Sequence, residues 1–473
     1  MRASWAAVTL AFVVFGAGAS AQRGGGSPAQ FIKTTGPVIA LTHVRVIDGT
    51  GAPARADQTI VIRDGTISAM GDSAKVPAPE GATVVDLTGK SVIPGLVMLH
   101  EHLYYPTGPT RGQFGESFVR LYLAGGVTTM RTAGDNNGIM DFNLKRDIDK
   151  GTTVGPAMDA TAPYLNGPNN LTFPQQYELK DAADARSQVD YWADMGATSF
   201  KAYMHITRAE LGAAIDEAHK RGFKLTGHLC SVTFSEAVDL GIDNLEHGFL
   251  VSTDTFPNKT PDVCPGQTPG QQAFAAAPSD GPVLTALIKK LVDKHVPITS
   301  TLPVFENNAS GRPMPPGLDV LVPELKQDYE RTFQRTSQGS PTSLATIIFK
   351  KEMALERAFV NAGGMLVAGI DPTGAGGVIP GYADQREVEL LVEEGFTPLE
   401  AIEICTLNGA KYLGRDKTIG SLVIGKQADL VVVGGDPSTV IADVRKVETV
   451  FKHGVGYDAA KLIQSVSGKV GLW

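Results

Sequence analysis

Residues 96–102, LVMLHEH, decide how the chain is interpreted, because an apolar run ends there in two histidines separated by one residue. Side chains alternate sides along a β-strand, so His100 and His102 point one way and Glu101 points the other. Two imidazoles on one side of a strand end can bind one metal ion. Alone the pattern is weak, since two histidines can also flank an acidic residue in an ordinary strand.

Seven further apolar runs alternate with helical patterns up to residue 371, which is typical of β/α units and a parallel sheet. They are VTTMRTAG (127–134), AMDATAPY (157–164), TSFKAYM (198–204), KLTGHLC (224–230), NLEHGF (244–249), ITSTLPVF (298–305) and MLVAGID (365–371). With LVMLHEH as the first strand, these runs predict a (β/α)8 TIM barrel. Three helix starts support it with a Thr followed three residues later by a Glu: Thr207/Glu210, Thr233/Glu236 and Thr397/Glu400.

Segments typical of antiparallel strands lie on both sides of this region, with turn signals such as Asp64-Gly65. We predict an α/β protein in which residues 38–93 and 418–465 form one small β-sandwich domain from the N- and C-terminal segments, and residues 94–417 form the barrel. Residues 1–21 have the features of a signal peptide cleaved near Ala21, and residues 22–37 are predicted to be a flexible leader. We therefore expect an exported protein, periplasmic or secreted, without stable membrane insertion.

The net charge is −8 and no basic stripe is present, which argues against a nucleic-acid partner. Three cysteines are too few for a disulfide framework in 473 residues. Cys230 and Cys264 either form one disulfide in an oxidising compartment or remain two unpaired thiols, and Cys405 is predicted to be a buried core residue. The sequence leaves the oligomeric state open, including a homo-oligomer.

Other predicted strand ends change the interpretation of the histidine pair. His228 ends the fifth strand, His247 the sixth and Asp371 the eighth, and imidazole nitrogen with carboxylate oxygen suits zinc or a similar divalent ion. Lys201 ends the fourth strand, where an ammonium group would repel a metal ion. It is either a buried lysine paired with Asp371, or a lysine carbamylated by carbon dioxide and able to bridge two ions.

This order of residues resembles the amidohydrolase superfamily of dinuclear metal hydrolases, in its imidazolonepropionase-like and Xaa-Pro dipeptidase-like branch. The resemblance extends from about Leu41 to Phe451 and includes VIPGLVMLHEH, TPLEAIEICTLNGAKYLG and IGSLVIGKQADLVVVGGDP. It implies two divalent ions, with zinc as the first choice, and the following ligands: His100, His102 and Asp371 for the deeper ion, His228 and His247 for the second, and carbamylated Lys201 between them. One departure is Met98, which stands where many members have an acidic residue that could orient the histidines.

The resemblance implies hydrolysis of a carbon–nitrogen bond, with a peptide bond among the candidates, in a small or dipeptide-like substrate. A hydroxide shared by two ions would attack the amide carbonyl, and Asp371 would carry the proton to the leaving nitrogen. The same site could serve a lactonase or phosphotriesterase, and a third interpretation is a metal-binding barrel without catalysis.

Three further residues are predicted to contact the substrate. Arg131 could bind a substrate carboxylate, or form a structural ion pair, for instance with Asp135. Tyr203 could donate a hydrogen bond to the developing oxyanion, or be a core tyrosine. His205 is predicted to contact the substrate from the rim.

A loop of residues 252–282 follows the sixth strand and contains six prolines. It has too little periodicity for a helix, so we predict a stiff lid over the site. Loops at 164–176, 306–317 and 372–385 are predicted to complete the pocket walls.

Overall fold

The computed structural model describes residues 27–107, 110–168 and 176–471. The predicted signal peptide and part of the loop at 164–176 lie outside these ranges. The strands are β1 Ile32–Thr34, β2 Val38–Val46, β3 Arg55–Arg63, β4 Thr66–Asp72, β5 Thr83–Asp86, β6 Lys90–Pro94, β7 Leu96–Glu101, β8 Tyr104–Thr107, β9 Thr110–Gln113, β10 Val127–Thr132, β11 Ala157–Asp159, β12 Phe200–Ala202, β13 Leu225–Gly227, β14 Asn244–Glu246, β15 Ile298–Ser300, β16 Leu366–Ala368, β17 Leu430–Gly434, β18 Val447–Lys452 and β19 Val455–Asp458.

The α-helices are α1 Gly115–Ala124, α2 Ile139–Asp149, α3 Ala182–Asp194, α4 Arg208–Lys220, α5 Phe234–Asp239, α6 Gln267–Ala276, α7 Pro282–Asp293, α8 Leu302–Glu306, α9 Pro323–Ser337, α10 Leu344–Asn361, α11 Tyr382–Glu394, α12 Pro398–Glu403, α13 Gly409–Tyr412 and α14 Ala459–Val466. Short 3-10 turns occur at Pro28–Phe31, Leu318–Val320 and Ile441–Arg445, and a π-helical turn at Ile404–Asn408. Among the helices of the described ranges, none combines the length and apolar character needed to cross a membrane.

The predicted strands of the central region form two parallel sheets, ordered β11-β10-β7 and β12-β13-β14-β15-β16. These strands are buried almost throughout, as expected for parallel strands covered by helices on their outer face. Parallel bridges pair Thr161 with Ser199 and Leu165 with Ala202, which brings the two sheets together on one side. On the other side, the Asp371 amide donates to the His100 carbonyl at 3.0 Å. The prediction of an α/β protein is confirmed.

The helix starts predicted from Thr and Glu are confirmed. Each Thr accepts from the Glu amide and each Glu accepts from the Thr amide, at the first residues of α4, α5 and α12. Because α4 and α5 begin just after β12 and β13, the carboxyl ends of these strands face the same edge. The residues at the carboxyl ends of β12 and β13 therefore lie at the same edge of the sheet.

The two terminal segments form one sheet, ordered β1-β19-β18-β17-β6-β2-β3-β4, with β5 paired to β2. Strand β17 lies antiparallel to β6, from Leu430↔Pro94 to Gly434↔Lys90, so the C-terminal segment continues the N-terminal one. The expected β-sandwich is corrected in this respect, because hydrogen bonds join all nine strands in a single sheet. Apolar residues from β2, β3, β4, β17 and β18 share one core cluster, which explains the sandwich-like alternation.

The expectation of a flexible leader up to residue 37 is wrong for its second half. Phe31 is buried in the main core, and Ile32 of β1 pairs with Tyr457 of β19. The run of three glycines in the leader ends at Gly26, and the apolar pair Phe31-Ile32 after it packs against the folded protein. The composition of residues 22–37 did not indicate where the flexible segment ends.

Candidate metal centre

The six side chains proposed from the sequence as metal ligands lie at one end of the parallel strands. His100 lies near the end of strand β7 and His102 directly after it, and Lys201 lies in β12. His228, His247 and Asp371 follow β13, β14 and β16. All six are buried or nearly so, since His228 is the most exposed among them. Ligand atoms of His100, His102 and Asp371 lie within 4.8 Å of one another.

Distances within this group are short enough for shared ligation. Asp371 Oδ1 lies 3.5 Å from His102 Nε2, and Asp371 Oδ2 lies 4.0 Å from His100 Nε2. Lys201 Nζ lies 3.3 Å from the same His100 nitrogen. The His247 ring is centred 4.4 Å from the His100 ring and 4.5 Å from the His228 ring. The structure thus brings all six residues together.

Hydrogen bonds on the outer side of the rings orient three of the histidines. Nδ1 of His100 bonds Glu246 Oε2 at 2.7 Å, and Nδ1 of His102 bonds the Gly134 carbonyl at 2.9 Å. Since a carbonyl only accepts, the His102 proton lies on Nδ1 and the Nε2 lone pair faces Asp371. Nδ1 of His247 bonds Thr301 Oγ1 at 2.9 Å.

The backbone has an unusual conformation at two of the proposed ligands. His247 has a backbone φ of +68° and Asp371 a backbone φ of +49°. Both values lie in the left-handed region, which residues other than glycine rarely adopt. Close packing imposes a second constraint at Gly369, where a Cβ would lie 2.4 Å from the His100 Cβ. Such strain is retained at functional sites where the surroundings enforce it.

Burial determines the charge of these side chains. It lowers the pKa of His102, His228 and His247 well below the usual value, and it lowers that of His100, where Lys201 adds to the effect. Burial also lowers the pKa of Lys201 to about 8. Four neutral imidazoles and one carboxylate therefore converge, which is the set of donors that a divalent ion of the zinc type accepts.

Arg131 is corrected as a substrate residue. Its side chain is 1% exposed, and its guanidinium donates to the Leu99 carbonyl, Glu246 Oε1, Thr226 Oγ1 and Ser199 Oγ. Every nitrogen is thus used inside the protein, beneath the histidines. The alternative of a structural ion pair holds, although the partner is Glu246 and not Asp135.

Tyr203 lies beside the ligands, with its ring centred 5.0 Å from that of His228. Two tyrosines that the sequence analysis did not single out extend this wall. The Tyr164 ring lies 4.6 Å from that of Tyr203, and its hydroxyl lies 2.6 Å from the hydroxyl of Tyr104. Tyr104 in turn contacts His102, with ring centres 4.6 Å apart. An aromatic wall thus borders the centre on one side.

Arg111 of β9 is a cation near the centre that sequence reasoning missed. Its guanidinium carbon lies 5.2 Å above the centre of the Tyr104 ring, and the side chain is exposed at the rim. Only the short β8–β9 hairpin brings it there, and the sequence stretch YYPTGPTRGQ gives a turn signal but no sign of its direction. Of these two arginines, Arg131 is buried and Arg111 is the exposed one beside the tyrosines.

The side chains of His205 and Glu101 both lie away from the proposed ligands. Strand β12 ends at Ala202, so the side-chain alternation used to place His205 does not extend that far. Its amide donates to Asn166 Oδ1, its ring is half-buried, and among the described contacts none joins it to the ligands. Glu101 is fully buried on the side of β7 away from the histidines, and burial raises its pKa well above the usual value, in agreement with a structural role.

The loop after β14 differs from the prediction in one respect. It contains a helix, α6, whose first turn includes Pro269, a position where proline is tolerated. Only Gly270 and Phe274 of α6 are buried, which explains why no helical periodicity was visible.

A disulfide links Cys230 to Cys264 of this loop, and Cys405 is buried and unpaired. Cys230 and His228 both line a small cavity of ≈ 30 Å³.

The chain is similar in sequence and in fold to several hydrolases of carbon–nitrogen bonds. A sequence model described as "Amidohydrolase family" matches residues 337–456. An imidazolonepropionase of Porphyromonas gingivalis is 26% identical over 420 residues, covering 83% of this chain and 85% of that protein. A solved Xaa-Pro dipeptidase with bound methionine in the active site is 19% identical, with a TM-score of 0.67, covering 89% of this chain and 100% of the other. A bottromycin amidohydrolase is 18% identical, with a TM-score of 0.68, covering 91% and 89%. The last two are likenesses of fold.

Proposed function

We propose, from the premise that this chain belongs to the amidohydrolase superfamily and is a hydrolase of carbon–nitrogen bonds, that it cleaves the amide bond of a small substrate bearing a carboxylate, at a centre of two divalent ions. The observation that carries the proposal is the convergence of His100, His102 and Asp371 within 4.8 Å, beside the rings of His228 and His247.

His100, His102 and Asp371 would hold the deeper ion, and His228 and His247 the second, with zinc as the first choice. Lys201 would join them as a carbamate, formed when its amine adds carbon dioxide and loses a proton. A pKa of about 8 supports this, because it raises the share of neutral amine, which is the reactive form. When bound, the ions would polarise the scissile carbonyl and make a water molecule acidic enough to attack it near neutral pH.

Asp371 is placed to move the proton that this reaction releases. Oδ1 of Asp371 accepts from Thr373 Oγ1 at 2.6 Å and faces His102, while Oδ2 faces His100 and His247. The side chain is 12% exposed, unlike the fully buried His100, so one oxygen can reach both the ligands and the substrate. It would accept a proton from the attacking water and pass it to the leaving nitrogen.

Tyr203 and Arg111 would bind the substrate. Burial raises the pKa of Tyr203 well above its usual value, so its hydroxyl stays protonated and able to donate to the developing oxyanion. Arg111 lies at the open end of the tyrosine wall, where a guanidinium suits bidentate binding of a carboxylate. The Tyr104 ring lies between Arg111 and His102, 5.2 Å from the guanidinium carbon and 4.6 Å from the imidazole ring, so the proposed substrate is a small one such as a dipeptide or N-acyl amino acid.

The proposal also covers the closure of the barrel and the export of the chain. We propose that the eight parallel strands close into one (β/α)8 barrel, supported by the bridges at Thr161/Ser199 and the hydrogen bond from Asp371 to His100. We propose that the mature chain is exported after cleavage near Ala21, for which the disulfide of Cys230 and Cys264 is compatible chemistry.

The test is a hydrolysis screen of the purified, metal-loaded protein with N-acyl amino acids, Xaa-Pro dipeptides, lactones and phosphotriesters. We expect turnover of the first two classes, and a loss of turnover when their carboxylate is converted to an amide. Preference for lactones or phosphotriesters would move the function to ester chemistry on the same centre. Binding of metal with no turnover of any class would contradict the proposal.

A further inference from the structure

We infer that Arg131 and Glu246 form a positioning pair that fixes the metal ligand His100, in place of the acidic residue that is absent at position 98. The inference rests on the proposed function, since it concerns how this chain holds its ligands. Neither residue contacts the substrate side. The pair lies beneath the histidines, inside the parallel strands.

Both oxygens of Glu246 are used, and each by a different partner. Oε2 lies 2.7 Å from His100 Nδ1, and Oε1 lies 3.1 Å from Arg131 Nη1. Glu246 is 0% exposed, so no water competes for these contacts. An ionised carboxylate only accepts hydrogen bonds, so the His100 proton lies on Nδ1 and its Nε2 lone pair faces Lys201 and Asp371.

Arg131 is itself fixed by the strands around it. It lies in β10 and reaches the Leu99 carbonyl of β7 at 2.9 Å and Thr226 Oγ1 of β13 at 2.7 Å. Ser199, just before β12, accepts a weaker bond from Nε at 3.3 Å. The guanidinium therefore joins three neighbouring parts of the parallel strands to Glu246 of β14, and one rigid fork determines where the Glu246 carboxylate lies.

Within β7, position 98 offers His100 no carboxylate. Met98 is fully buried in β7 and has the same side-chain direction as His100, but a thioether cannot accept a strong hydrogen bond from an imidazole. Glu246 supplies the carboxylate from β14 instead. A buried carboxylate without a cation would be costly, and Arg131 offsets its charge while remaining inaccessible to a substrate.

The experiment compares Glu246→Gln, Arg131→Met and the double variant with wild type. The matched controls are Glu389→Gln and Arg386→Met, which break another buried pair, with a 2.8 Å contact, away from the ligands. The first readout is the affinity for Zn²⁺ in competition with a chelator. The second is the rise in the thermal unfolding midpoint that saturating Zn²⁺ produces, which separates lost metal binding from general destabilisation.

We expect Glu246→Gln and Arg131→Met each to weaken Zn²⁺ binding by about 10- to 100-fold, the usual effect of removing a partner of a metal-bound histidine. The double variant should match Glu246→Gln within about two-fold, because Arg131 acts through Glu246. The controls should lower the unfolding midpoint without changing Zn²⁺ affinity.

Wild-type affinity in Glu246→Gln would overturn the inference, while leaving the proposed function intact. A higher KM with unchanged Zn²⁺ affinity in Arg131→Met would also overturn it, since Arg131 would then act on the substrate. Failure of the wild-type protein itself to bind a divalent ion would overturn the proposed function, and this inference with it.

Discussion

Breaking the Cys230–Cys264 disulfide should loosen the loop after β14 without removing the proposed metal ligands. Cys230 follows the ligand His228 by two residues, and Cys264 lies 34 residues further along the chain. The bond therefore fastens the lid to the end of a ligand-bearing strand. Reduction, or the variant Cys230→Ala/Cys264→Ala, removes this connection and leaves no new unpaired thiol in the second case.

The magnitude follows from the length of the closed loop. For about 34 residues, the loss of chain entropy in the unfolded state corresponds to about 4 kcal/mol of stability at 25 °C. Other contacts keep the loop attached after reduction, among them Arg208 with Asp262 at 3.0 Å and Lys259 with the Ser231 carbonyl at 2.6 Å. The lid should consequently loosen and not detach.

The assay is urea unfolding of the double alanine variant and of wild type with and without reductant, together with steady-state kinetics and metal content. We expect a lower free energy of unfolding and a higher KM, with metal content unchanged, because the cavity wall beside His228 becomes mobile. Reductant should have no further effect on the double variant, which serves as the control. An unchanged unfolding midpoint together with an unchanged KM would refute the reasoning.

Three further substitutions test the centre itself. Asp371→Asn should lower kcat by about 10²- to 10⁴-fold, the contribution of a positioned acid–base group, while much of the metal is retained; wild-type turnover would contradict the shuttle role. Lys201→Ala should abolish the stimulation that bicarbonate gives during metal reloading, and the absence of any such stimulation in wild type would count against a carbamate. Arg111→Met should lower kcat/KM for substrates with a carboxylate by about 10- to 100-fold, and leave the matching amides unaffected; an equal loss for both would assign Arg111 a structural role.

The grouping of the six proposed ligands could be predicted from the sequence because each lies in or just after the end of a recognisable strand. Side-chain alternation placed His100 and His102 on one side, and the cap signals before α4 and α5 located the ends of β12 and β13. These are local rules, so they apply without knowledge of the partner strands. The structure brings all six proposed residues into one group on this basis.

The residues that sequence reasoning misplaced depend on contacts between distant strands. Arg131 has the strand position of a site residue, but its direction is set by Glu246, Thr226 and Leu99, which come from three other strands. Arg111 and Tyr164 lie on segments outside the regular strands of the centre, where alternation gives no guidance. Pairing across strands and the direction of loops are tertiary properties that a single sequence does not determine.

The most direct test of the central claim is the divalent metal content of the purified protein, measured beside a variant with His228→Ala and His247→Ala. The proposed centre predicts about two ions per chain in wild type and about one in the variant, because His100, His102 and Asp371 would still hold the deeper ion. A wild-type protein that hydrolyses its substrate at full rate with no bound divalent ion would contradict the account.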